Sequence, residues 1–248
     1  MSISISITNL LQHLLFVFLV VIAPIWDYSY TSRLKRNPSP AGKLRVYKTL
    51  CSWLWTSAVI AVLVVGWRPL FTINPAPAEI PWLQIAWVRS VIVALLVLFA
   101  AVLFLPFAIV AWKKLTHRPR KYGSAEALKS LSYFFPATWT ERRWWAFLCL
   151  TAGICEEILF RGFLLHYLHV FPWALNLTLA LLVAAVIFGL NHLYGGVGGV
   201  IGSTVAGLLL GLLFLLTGSL LLPMILHAAL DLRMLVILRP PDTAAAPA

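Results

Sequence analysis

The stretch Leu148-Cys149-Leu150-Thr151-Ala152-Gly153-Ile154-Cys155-Glu156-Glu157-Ile158-Leu159-Phe160-Arg161-Gly162-Phe163-Leu164-Leu165 decides how this chain is read. Apart from Thr151 and the charges Glu156, Glu157 and Arg161, it is apolar or glycine throughout, at a length that suits a membrane-spanning helix. A charge at membrane depth costs roughly 3 kcal/mol even on lenient insertion scales, so such a group points to function by default. Two more polar pairs recur downstream in equally apolar surroundings, Phe188 with His192 and His227 with Asp231.

Composition agrees with a membrane setting. Of 248 residues 61% are hydrophobic and 11% charged, with a mean hydropathy of +0.92, whereas a soluble domain carries about 25% charged residues. Long continuous apolar runs fit spanning helices and not the alternating strands of a barrel. The expected class is therefore all-α, a polytopic transmembrane bundle. The net charge of +11 does not argue for nucleic acid, because the basic residues are localised. Six of the 19 lie between Arg33 and Lys48 and eight between Lys113 and Arg143. These read as two cytoplasmic loops facing anionic lipid. Cys51, Cys149 and Cys155 fall in apolar stretches without metal-ligand spacing and read as small buried hydrophobes.

Seven spans account for the apolar runs: Asn9–Trp26, Thr49–Trp67, Leu83–Trp112, Arg143–Leu168, Trp173–Leu193, Val197–Leu216 and Ser219–Leu238. Trp26, Trp67, Trp82, Trp112, Trp144 and Trp173 mark their ends as an interfacial belt. The third span, holding Arg89 and Pro106, is long enough to tilt, kink or start later than drawn. Between Ser124 and Pro136, apolar positions at helical spacing predict an amphipathic surface helix, with an ordinary connection as the alternative. The loop charges predict a multi-pass protein of the cell membrane, N-terminus outside and C-terminus cytoplasmic. Residues 1–139 carry the first spans and basic loops, 140–238 hold the polar motifs, and 239–248 form a short Pro/Ala-rich tail expected to be disordered. In the sixth span Gly195/Gly199, Gly198/Gly202 and Gly207/Gly211 repeat at intervals of four, which favours close helix packing or, alternatively, backbone lining a groove.

Helical geometry separates the three charges of the fourth span. Glu157 and Arg161 are four apart, with the acid first, and form the favoured intrahelical ion pair. Glu156 lies about 140° away from Arg161 around a regular helix, so it is the carboxylate left for general acid-base work. A structural network in which Arg161 bridges both acids is the competing reading. Phe188 can fix His192 at i,i+4, and Asp231 can accept a hydrogen bond from one nitrogen of His227 and fix its tautomer. At 1.5 Å per residue, Glu156 and His227 fall near mid-depth and His192 about 10 Å closer to the cytoplasmic end, so the fifth span must tilt or begin later.

Glu-Glu-x-x-x-Arg at 156–161, Phe-x-x-x-His at 188–192 and His-x-x-x-Asp at 227–231, in this order on separate apolar helices, resemble the CAAX-protease and bacteriocin-processing (Abi) family of intramembrane proteases. The resemblance covers roughly residues 140–238. It implies that Glu156 and His192 activate a water for attack on a peptide carbonyl and that His227 stabilises the oxyanion. The family places Asn or Asp at the position of Asp231; an ionised Asp cannot donate, so Asp231 is assigned to orienting His227. The best-known architecture has eight helices against the seven counted, and a helix near Ala125–Phe135 would supply the eighth. The implied substrate is a lipidated or membrane-anchored protein or peptide, within membrane lipid. Glu and two His could hold zinc, but a Glu/His-activated water needs no cofactor, and a metal-free glutamic-type mechanism is favoured. The alternatives are a non-catalytic membrane immunity or scaffold protein and, less favoured, a proton-coupled transporter.

Overall fold

The computed structural model describes residues 7–72, 80–117, 132–170 and 174–238. Among these, the architecture is helical, and the one extended pairing is an isolated antiparallel bridge between Thr72 and Ser219. Helix α1, Ile7–Arg36, contains a π-helical turn at Phe18–Ile22 and is followed by α2, Pro40–Val65. A short α3, Trp67–Phe71, and a 3-10 turn, Pro81–Gln84, lead to α4, Ala86–Leu115. Helix α5 runs continuously over 139–170, then come α6, Leu177–Leu190, α7, Leu193–Thr217, and α8, Leu221–Ile237.

A helix therefore stands at each of the seven expected positions. Four of them, α1, α2, α4 and α7, are long and apolar enough to cross a membrane. Helix α4 begins at Ala86, behind the 3-10 turn, and so starts later than the sequence suggests. The expected surface helix at Ser124–Pro136 falls mostly outside the described residues, as do Trp173 and the tail from Arg239.

The first basic stretch departs from expectation. Arg33–Lys48 is not an open loop: α1 continues to Arg36, and α2 starts at Pro40. Ser39 caps that start by accepting from the Gly42 amide at 3.1 Å, with Pro40 in the first turn where no amide donor is missed. Only Asn37–Ser39 separates the helices. Lys43 is buried, donating to the Phe135 carbonyl at 2.7 Å with the Glu141 carboxylate at 3.6 Å. That lysine is structural and does not face lipid headgroups.

Strong local signals set the remaining boundaries. Thr138 and Glu141 form a reciprocal capping box that starts α5. Asn176 caps α6 through the Leu179 amide at 2.9 Å. Gly218, at φ +70°, ends α7 in the left-handed conformation. Cys51, Cys149 and Cys155 are buried and unpaired with one another. The helices nearest the site meet closely at Gly153: a Cβ there would sit 2.7 Å from Ala228, so only glycine lets α5 and α8 approach this far.

Candidate active site

The three polar motifs converge. Glu156, Phe188, His192, His227 and Asp231 line one cavity of about 590 Å³ whose other walls are mainly apolar residues of α1, α2, α4, α5 and α7. Four elements supply the polar groups: α5 gives Glu156, the end of α6 gives Phe188 and the turn after it His192, and α8 gives His227 and Asp231.

Helix α5 is not regular where the charges lie. Trp139–Glu156 is α-helical, and Glu157–Leu164 widens into a π-helix before α geometry resumes at Leu165. Such turns are rare and are frequent at functional sites. The i→i+5 pattern of this segment changes the angular relation between Glu156 and Arg161, so the 140° separation of a regular helix does not hold. All eight residues of the π segment are buried.

The expected ion pair is present, with Arg161 Nη1 2.8 Å from Glu157 Oε1. The guanidinium also donates to the Gly207 carbonyl at 3.2 Å and lies over the Phe188 ring, 4.3 Å from its centroid. Small residues matter here: a Cβ on Gly207 would press on Phe188 at 3.0 Å. Of the glycine pairs, Gly207 and Gly211 pack against α6, whereas Gly198, Gly199 and Gly202 border the cavity. Both readings of the glycine pattern therefore apply, to opposite ends of one helix.

One expectation is corrected. The partner that fixes His227 is Glu157, whose Oε1 lies 2.7 Å from Nδ1, and not Asp231. A carboxylate oxygen accepts, so Nδ1 carries the proton and Nε2 faces the cavity. There Nε2 is 3.8 Å from Glu156 Oε2 and 3.8 Å from Asp231 Oδ2, beyond hydrogen-bond reach of either. The π turn and the close approach at Gly153 bring Glu157 to the imidazole first. Glu157 thus holds Arg161 and His227 through one oxygen.

His192 is fixed from its own helix end. Its Nδ1 lies 2.9 Å from the Phe188 carbonyl, which only accepts, so Nδ1–H donates and a neutral ring keeps its lone pair on Nε2. The Phe188 ring lies against it at 4.7 Å and edge-on to His227 at 5.7 Å, touching both imidazoles and Arg161. Helix α6 begins at Leu177, later than the drawn span, and His192 sits in the turn beyond its end.

Glu156 differs from its neighbour in having no ion-pair partner within 3.5 Å. Its Oε2 is buried and makes no hydrogen bond among the described residues, although the side chain reaches the cavity with 17% exposure. No three His, Cys, Asp or Glu side chains among the described residues converge tightly enough to hold a metal ion. The Nδ1 nitrogens of His192 and His227 are committed to Phe188 and Glu157, which leaves Nε2 as the remaining ring nitrogen of each. Chemically, the site offers a carboxylate and two oriented imidazoles around a cavity in an apolar wall.

Three cavity residues escaped the sequence reading: Asp27, Tyr194 and Arg233. Asp27 stood just past the drawn end of the first span, yet Ala23, Asp27, Thr31 and Leu34 keep helical spacing and share one buried face. That periodicity was the available signal.

Comparison with known proteins yields one match. Residues 138–233 match the family model described as type II CAAX prenyl endopeptidase Rce1-like. No curated protein and no solved structure matches the chain.

Proposed function

We propose, from the match of residues 138–233 to the type II CAAX prenyl endopeptidase Rce1-like model, that the protein is a multi-pass intramembrane endopeptidase acting on a lipidated or membrane-anchored protein or peptide. The observation that carries this reading is the meeting of Glu156, His192 and His227 in one cavity. Water enters that cavity and is polarised by Glu156 and by Nε2 of His192. It attacks the carbonyl carbon, and its proton passes to the Glu156 carboxylate. His227, in its cationic form, donates Nε2–H to the oxyanion, a contribution of about 3–4 kcal/mol for one such donor. Collapse breaks the C–N bond while Glu156 returns the proton to the leaving amine. No step requires a metal.

Glu157 and Arg161 serve as positioning residues for His227, and Phe188 for both imidazoles. Asp231 stands with Glu156 on the Nε2 side and gives the water a second acceptor. The seven helices cross the bilayer. The basic helix ends lie on the cytoplasmic side, the N-terminus outside and the C-terminus inside. The deciding experiment is cleavage of a lipidated peptide by purified protein. Loss of cleavage in both Glu156→Gln and His192→Ala supports the reading, and activity retained in either overturns it. The scaffold reading instead expects Glu156→Gln to lower thermal stability in step with any phenotype.

A further inference from the structure

Asp27 is the carboxylate in the cavity that the mechanism does not use. It lies on the inward face of α1 with Ala23, Thr31 and Leu34, and it is 8% exposed. Its backbone carbonyl accepts from the Thr31 hydroxyl at 2.6 Å. Its carboxylate, however, makes no ion pair and no hydrogen bond among the described residues. A buried carboxylate without donors is costly, and the cost is relieved by a proton, a donor or a cation that meets it.

The surroundings select which. The charged groups bordering the cavity are Asp27, Glu156, Asp231 and Arg233, together with the two imidazoles. Arg233 stands two residues from Asp231 on α8 and makes no ion pair with Asp27 among the described residues. Lys35, on the same helix as Asp27, is directed at the Tyr133 ring, 5.9 Å from its centroid. Tyr194 lines the same cavity as Asp27, Glu156 and Asp231, so the acidic lining reaches from α8 and α5 to α1. Acids outnumber the cations, and Asp27 is the one contributed by α1 rather than by the helices that carry the motifs.

The geometry points to Asp27 as a specificity-determining residue that receives a cationic side chain, lysine or arginine, of the substrate segment lying alongside the cleaved bond. This rests on the endopeptidase reading and adds to it a substrate class, a peptide with a basic residue near the cleavage site. A cavity of about 590 Å³ has room for such a segment. The site is assembled from both parts of the chain, since Asp27 comes from outside the region that carries the motifs.

The test uses full-length protein in detergent with S-farnesylated peptides, each carrying one lysine moved through the positions before the lipidated cysteine. Matched peptides carry glutamine or glutamate instead. At one position lysine is cleaved about tenfold faster than glutamine in kcat/KM, the usual worth of a charge-assisted contact, and the gain lies in KM. Asp27→Asn brings that ratio near one, Asp27→Glu keeps it, and Asp27→Lys turns the preference to glutamate. Absence of any lysine preference, or its survival in Asp27→Asn, overturns the proposal. Cleavage of the glutamine peptide that is lost in Glu156→Gln keeps the endopeptidase reading standing whatever the lysine result. If wild-type protein cuts none of the peptides, fluorescence polarisation of the same set decides: a Kd about tenfold tighter for lysine, lost in Asp27→Asn, supports the subsite, and equal Kd values overturn it.

Discussion

Helices α4 and α5 are of similar length and opposite in character. Helix α4 is the most apolar of the candidate spans and buries only Ile92, Leu96 and Leu103. Helix α5 carries Glu156, Glu157 and Arg161, and buries its entire π segment. In water the arrangement would be inside out. In a bilayer it is the expected one: lipid solvates α4 without cost, while the charged helix retreats to the centre, where partners on α7 and α8 meet its groups. The contrast separates residues that face lipid from residues that do chemistry or hold it in place.

That contrast can be broken in several ways. The largest effect is expected for Glu156→Gln, which should lower kcat by about 10³-fold, the range of general acid-base catalysis, with a thermal midpoint close to the parent. A parallel fall in midpoint would move Glu156 to the structural side. Arg161→Ala should cost about 3–5 kcal/mol of stability, because it strands the buried Glu157 carboxylate; denaturation in mixed micelles reads this directly. Gly153→Leu should lower both stability and activity by forcing α5 from α8, since even one extra methylene in a packed interior costs about 1–3 kcal/mol. Leu98→Ala on α4, at a position 57% exposed in the described structure, should change stability by less than about 0.5 kcal/mol. Exhaustive treatment with a strong chelator, with metal content measured in parallel, should leave cleavage unchanged, and loss restored by zinc would replace the metal-free mechanism.

The motifs and the helix positions could be read from residue spacing, because apolar runs and i,i+4 pairs are local properties. The Glu157–Arg161 pair and the Phe188–His192 contact followed from the same periodicity. What escaped was set by tertiary contacts. The π segment could not be read from apolar spacing, and without it Asp231 looked like the natural partner of His227, one turn away on the same helix. Glu157 reaches that imidazole only because α5 and α8 touch at Gly153. Lys43 counted as a loop cation until its burial against Phe135 and Glu141 was seen. Asp27 was missed because the first span was ended at Trp26, by hydropathy rather than by the face the helix presents.

The contact between Gly153 and Ala228 has a mechanical side. Two helices that touch backbone to methyl cannot slide or spread independently, so α5 and α8 behave as one stiff blade carrying both Glu156 and His227. Any widening of the cavity then falls to the surrounding helices, among them those that hold Asp27 and the glycines of α7.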